Sequence, residues 1–193
     1  MPQPLDQMTN EQLWRLFPII LEAHNPARAQ RYEDEKSVLT SLLPSKAIVR
    51  ITHIGSTSVP GLIAKPTIDI LLEIRPESDF EQIKETLVSD GWIYSPQPNK
   101  PAPGAMFMKG YTPEGFRGQA FHLHVRYPGD WDELYFCRWL RLSPETARAY
   151  EQLKISLKEK YEHDRDAYTD EKTGFVLEQS RRAREQLGVM NCF

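Results

Sequence analysis

The chain has 193 residues, enough for one domain with a substantial buried core, and carries 24 lysines and arginines against 27 aspartates and glutamates, a formal charge of −3. That balance supplies no overall attraction to nucleic acid or to an anionic membrane, and leaves room only for a local basic patch. Cys137 and Cys192 are too few and too far apart for a disulfide framework or a zinc knuckle, the segment Met1 to Asp6 has no signal-peptide pattern, and no stretch is long and apolar enough to cross a bilayer, so the expected setting is soluble and cytoplasmic.

In chain order, Thr9 followed three residues on by Gln12 predicts a capping box opening a short helix to about Leu16. Pro18 to His24 reads as a short edge strand, where a leading proline is tolerated. Asn25-Pro26 then caps and starts a helix to about Leu43, with Tyr32, Val38, Leu39 and Leu42 on its buried face and Pro44 as its stop. Residues 47–54 form a strand. Thr67 to Ile74 form a second, apolar on both faces except for Asp69, as expected of a central covered strand. Ser78 or Asp79 caps a helix carrying Phe80, Ile83, Leu87 and Val88, which Gly91 ends.

Trp92 to Tyr94 is a short strand, and Pro96, Pro98, Pro101 and Pro103 make the next stretch a loop, either a lid or a stiff connector. Ala105 to Tyr111 and Gln119 to Tyr127 read as two antiparallel strands joined around Gly115 and Gly118. The remainder is helical: Asp130 to Leu142, then Ser143-Pro144 to about Tyr161, then about Arg165 to Leu187. The predicted architecture is α+β, with a mixed sheet and flanking helices over residues 1–128 and a C-terminal helical portion over 129–193.

Between the two central strands lies the most informative stretch. Gly55-Ser56-Thr57-Ser58 makes a small-residue turn, closed by Val59-Pro60-Gly61 and followed by Lys65-Pro66 and then Asp69. Glycine permits close backbone approach to an anion and the hydroxyls of Ser56, Thr57 and Ser58 add donors. The same residues also suit an ordinary tight connection. Asp69 is the leading candidate for chemistry, since a carboxylate in an apolar central strand is costly without a partner; its structural alternative is an ion pair with Lys65 or Arg126. Lys65 either neutralises phosphate or snorkels over the core. His53 is expected to fix the turn by a hydrogen bond.

His122 and His124 are two residues apart and so project to one strand face. Beside Asp69 they would make a carboxylate and two imidazoles, a donor set for Mn²⁺, Zn²⁺ or another transition metal; alternatively His124 is a general base, or the pair is only a polar strand face. On the C-terminal helices, Lys154, Lys158 and Tyr161 form one stripe and Arg165, Tyr168 and Lys172 another. Facing the sheet, these would offer cations for phosphates and a ring for a base; facing outward they are a solvated surface. Cys137, Trp14, Trp92 and Trp131 read as packing.

His53 to Leu62 with Ala64 to Ile70 resembles the signature of the GrpB family, and the likeness continues in Phe121 to Val125, Tyr150, Leu153-Lys154, Tyr161, Asp164-Arg165, Ala167-Tyr168 and Lys172. The family is similar to the nucleotidyltransferase fold, and a GrpB-like domain also occurs fused to dephospho-CoA kinase. The resemblance implies a nucleoside triphosphate as substrate, a divalent metal (Mg²⁺ or Mn²⁺, or a transition metal), and a small-molecule acceptor, without membrane or nucleic-acid partners. It places Gly55-Ser56 on the triphosphate, Asp69 as the first metal-binding acid, and Lys154, Arg165, Tyr168 and Lys172 around the phosphates. The superfamily's second acid, two residues after the first, is here Leu71. Glu73 shares the face of Asp69 but lies about 13 Å further along the strand, too far to replace it, since paired catalytic metals sit about 3.5–4 Å apart. The alternative is a catalytically silent module that holds a nucleotide or another phosphorylated compound.

Overall fold

The computed structural model describes residues 2–188; Cys192 lies outside them. Strands β1 (Ile48–Ile54), β2 (Thr67–Ile74), β3 (Ile93–Pro96), β4 (Ala105–Thr112) and β5 (Gly115–Arg126) form one sheet in the order β1-β2-β5-β4-β3. Only the β2/β5 pair is parallel; the other three are antiparallel. This parallel pair at the centre results from the long connection through a helix and a β3–β4 hairpin, which brings β5 back beside β2.

Strand alternation divides the work of β2. Ile68, Ile70, Leu72 and Ile74 point into the main core, where they meet Leu123 and Val125 of β5. Helix α2 (Ala27–Leu42) covers this face with Tyr32 and Leu39, and α3 (Phe80–Ser89) with Ile83 and Leu87. The capping box of α1 (Asn10–Leu16) is present, with Thr9 and Gln12 exchanging side-chain-to-backbone bonds. Asn25 accepts from the Ala27 amide at the start of α2, and Asp79, not Ser78, caps α3.

The opposite face presents Asp69, Leu71 and Glu73 of β2 beside His122, His124 and Arg126 of β5. Over it lie α4 (Asp132–Leu142), α5 (Pro144–Tyr161) and α6 (Arg165–Leu187), held by clusters around Val59, Leu62, Phe136 and Tyr150, and around Ile54, Leu71 and Cys137. The caps at Ser143 and Asp164 set where α5 and α6 begin. The expected α+β class, mixed sheet and C-terminal helical layer are therefore all present.

Two boundaries differ from expectation. Pro18 to His24 is extended but forms only one bridge, Glu22 to Ala64, because its other bonds run elsewhere: the Ile19 amide donates to Glu162 O, and Arg28 holds the Glu22 carboxylate and Ala23 O. Strand β5 starts at Gly115, so the β4–β5 turn is tighter than predicted; the Thr112 hydroxyl donates to Gly115 O, and Gly118 falls within the strand. Among the described residues no helix is long and apolar enough to cross a membrane.

Candidate functional site

The parallel register pairs Asp69 with His122 and Leu71 with His124. Because side chains alternate, both imidazoles rise on the face of Asp69. Asp69 Oδ1 lies 3.3 Å from His122 Nδ1 and 3.5 Å from His124 Nε2. Burial holds the His122 imidazole down to about 4, so at neutral pH it is uncharged and donates Nδ1–H to Asp69. Its other nitrogen, Nε2, is 2.7 Å from the Tyr111 hydroxyl. Burial would raise the Asp69 carboxyl, but the hydrogen bonds from His122 and His124 outweigh it and keep the group ionised, well below the usual carboxylate range. The structural alternative for Asp69 is not what is found: the Arg126 guanidinium donates to Ala105 O and Val125 O.

The turn after β1 is fitted to that carboxylate. Gly55 has φ 72°, and a Cβ there would sit 2.3 Å from Asp69 Oδ2. No other residue leaves space for the acid. The hydroxyls divide into two kinds. Thr57 Oγ1 donates to Thr67 O at 3.2 Å and meets His53 Nε2 at 3.0 Å, the hydrogen bond expected of His53. Ser58 Oγ donates to Gly55 O at 2.8 Å. These two brace the turn, whereas Ser56 Oγ, 3.4 Å from Lys154 Nζ, faces the adjoining cavity. Cys137 is core, as the sequence suggests, but also lies under the bend: the Gly55 amide donates to its Sγ at 3.1 Å, and burial pushes the thiol up to about 11.

A cavity of about 650 Å³ opens between the sheet and α4–α6, within the ~300–1,000 Å³ range of small-molecule sites. Its lining includes Gly55, Ser56, Thr57, Lys65, Asp69, His122, His124, Lys154, Arg165, Tyr168 and Lys172; Ser58 is the one expected site residue outside it. Burial and the neighbouring Lys172 and Arg165 push the Lys65 ammonium down to about 7. Burial and Lys172 do the same to Lys154, whose Nζ also donates to Ile63 O. Lys172 is lowered by burial, with Asp69 opposing and Arg165 adding to the shift. Lys65, Lys154, Arg165 and Lys172 thus all line this cavity, where the Asp69 carboxylate favours the charged forms of Lys65 and Lys172.

Several expectations need correction. The Tyr168 ring, expected to stack on a base, is buried at the cavity wall with the ammonium groups of Lys65 and Lys172 5.7 and 5.5 Å from its centroid. Lys158 points out to pair with Glu162 at 3.8 Å, and the Tyr161 hydroxyl donates to Glu171 at 3.4 Å; only Lys154 of that stripe reaches the cavity. Trp131 is more than packing, since its Nε1 donates to Glu73 at 3.1 Å. Glu73, buried and also bonded to Arg50 and the Gly129 amide, serves the fold. Tyr111, behind His122, carries no local sequence signal for a place in the site. Arg126 also lines the cavity, and extending the His122–His124 alternation by two positions points to it.

The donor set admits a metal. Asp69, His122 and His124 each offer one ligand atom, all within 4.8 Å of one another. Tetrahedral ligands at about 2.0–2.1 Å from a zinc ion lie roughly 3.3 Å apart, close to the separations seen from Asp69 Oδ1. The Tyr111 hydroxyl is also the type of outer partner that fixes a metal-ligating histidine. One carboxylate with two imidazoles suits a single transition metal, not a pair of Mg²⁺ ions.

Fold and site together define an α+β protein with a mixed five-stranded sheet and a cation-lined, Asp-His-His cavity under a helical layer. The family described as GrpB protein matches residues 18–182, and the chain belongs to that family. It is 37% identical over 147 residues to a UPF0157 protein of Pseudomonas aeruginosa, covering 75% of this chain and 59% of that one. It is 31% identical over 163 residues to the glutamate-rich protein GrpB of Alkalihalophilus pseudofirmus, covering 83% and 92%. The chain thus spans less than two thirds of the Pseudomonas protein but nearly all of the Alkalihalophilus one. The crystal structure of conserved protein GrpB from Enterococcus faecalis superposes with a TM-score of 0.75 at 25% identity, covering 87% of this chain and 99% of that one. A dephospho-CoA kinase of Mycolicibacterium paratuberculosis is 24% identical over 180 residues, covering 82% of this chain and 43% of the kinase.

Proposed function

We propose that the chain binds a nucleoside triphosphate in this cavity and transfers its nucleotidyl group to a small acceptor. The observation that carries the reading is the meeting, in one cavity, of Ser56, the Asp69-His122-His124 set and the cations Lys65, Lys154, Arg165 and Lys172. A polyphosphate is the ligand class that satisfies several crowded cations at once. In the transfer, an acceptor oxygen forms a bond to the α-phosphorus, the bond from that phosphorus to the bridging oxygen of the β-phosphate breaks, and the acceptor's proton ends on the departing pyrophosphate. Lys154, Arg165 and Lys172 bind the β- and γ-phosphates and neutralise the charge that grows there. Asp69, His122 and His124 would hold a divalent transition metal, which supplies Lewis-acid stabilisation of charge on a phosphoryl oxygen. Where the ion is held by Asp69 and His122 alone, His124 is instead the imidazole placed to relay the proton, being 23% exposed where His122 is 9%.

A second reading, a module that only binds the phosphorylated ligand, is favoured by one feature: Leu71, at the position of the superfamily's second acid, is buried in an apolar cluster. Thermal shift across nucleoside triphosphates with Mn²⁺ or Zn²⁺, followed by pyrophosphate release with a panel of small hydroxyl compounds, separates the two. Transfer predicts metal-dependent release that Asp69→Asn abolishes while the fold is retained. Tight triphosphate binding that needs no metal and releases no pyrophosphate supports the binding module instead.

A further inference from the structure

A second cavity, of about 680 Å³, lies on the same sheet face, next to the first, between α1, β3, β4 and the start of α6. Its floor is set by strand register. Met106 pairs with His124 and Met108 with His122, while Ile93 pairs with Met108. The two methionines and Ile93 therefore continue the surface on which the imidazoles stand. The cavities share Arg165 and Thr169 in their linings, and Tyr111, which lines the second, has its hydroxyl on His122. Through Tyr111 this space adjoins the Asp-His-His set.

The chemistry of the two walls is opposite. In the first cavity seven cationic side chains outnumber four acids, Asp69, Asp130, Asp132 and Glu133. In the second, Met106, Met108 and Ile93 give an apolar and adaptable floor with Trp14 of α1 beside it, and Asp6, Asp166 and Asp170 line it against the single cation Arg165. These carboxylates repel a triphosphate and attract a cation.

Building on the transferase reading, we infer that the second cavity is the acceptor subsite, and that the acceptor is a small molecule with an aromatic or aliphatic body, a protonated amine and a hydroxyl. The body lies on Trp14 and the methionines, the ammonium group faces Asp166 and Asp170, and the hydroxyl reaches past Met106 toward His124. The atoms balance as in nucleotidyl transfer generally: that oxygen bonds to the α-phosphorus, its proton leaves with pyrophosphate, and the amine stays protonated throughout.

The test uses the full chain with its methionine methyl groups labelled with carbon-13. Phenethylamine and its carboxylate counterpart 3-phenylpropionate are titrated separately, and the Met106 and Met108 signals are assigned with Met106→Leu and Met108→Leu. The expected result is saturable shifts of both signals with phenethylamine, at least five-fold weaker affinity for phenylpropionate, and at least five-fold weaker amine binding in Asp166→Asn/Asp170→Asn. Trp14→Ala should weaken binding of the amine with ATP affinity unchanged. The inference is overturned if neither methyl signal moves at 10 mM amine, on the order of the weakest specific binding, if the two probes bind equally, or if the double variant binds the amine as the parent does. Amine binding here without any triphosphate binding in the first cavity would overturn the transferase reading and keep this one as a cationic-ligand site.

Discussion

Single side chains in the cavity are tuned by what surrounds them, and Lys65 and Lys154 show it most clearly. Each amine falls from an ordinary value of 10.5 to about 7 through burial and neighbouring cations. The signs of the two consequences are opposite. For folding, the unfolded ammonium groups hold their protons up to about 10.5, so between pH 7 and 10.5 the unfolded state binds more protons, and these two groups make the unliganded fold more stable as pH rises. For anion binding the protonated amines are needed, so affinity falls as pH rises through 7. Sulfate carries constant charge over this range and isolates the effect. Its affinity, measured by calorimetry, is expected to drop at least ten-fold from pH 6 to pH 8.5, about 1.4 kcal/mol. Lys154→Arg, which keeps its charge, should flatten the curve. A sulfate affinity level across that range would mean that the lysines do not receive the anion.

At the scale of whole elements, the placing of α4 explains why position 71 is not an acid. Leu71, Ile54 and Cys137 pack together beneath Trp131 and Leu134, so α4 seals the sheet one step beyond Asp69. A carboxylate there would lose its water inside the apolar cluster, with only the His124 imidazole opposite it on β5 to offset the cost. Leu71→Asp is therefore expected to destabilise the fold by about 3 kcal/mol or more in urea unfolding, from lost apolar burial and the desolvated charge together. A near-neutral effect accompanied by new Mg²⁺ binding would show instead that the site had room for the missing acid. Much at this scale is legible in the sequence: caps at Thr9 and Ser143 and the alternation through β2 and β5 place the elements and put His122 and His124 on one face. The segment 18–24 is not, because its bonds go to Glu162, Ala64 and Arg28, partners that no local pattern names. Nor is the fate of Tyr168, whose ring is claimed by Lys65, over a hundred positions earlier in the chain.

Across the whole molecule, charge is segregated in a way that the sum of −3 conceals. Lys65 comes from the end of the β1–β2 connection, Lys154 from α5, and Arg165 and Lys172 from α6, so the basic end of the cavity exists only when the helical layer is docked on the sheet. An anion bound there bridges the two layers, and whatever binds the folded state alone raises its stability by mass action. Tripolyphosphate at a hundred times its dissociation constant should add about 2.7 kcal/mol, which for a domain of this size corresponds to roughly 5–10 °C in melting temperature. Scanning calorimetry at pH 6.5 checks this, against sodium chloride of equal ionic strength as the control for screening. Lys154→Met should remove at least half of the increment, since its ammonium lies beside Ser56 at the centre of the basic end. Ser58→Ala should keep it, because that hydroxyl is spent on Gly55 O inside the turn. An equal rise with sodium chloride, or a Lys154→Met protein that gains as much as the parent, would place the polyphosphate on the outer surface and leave the cavity without an anionic ligand.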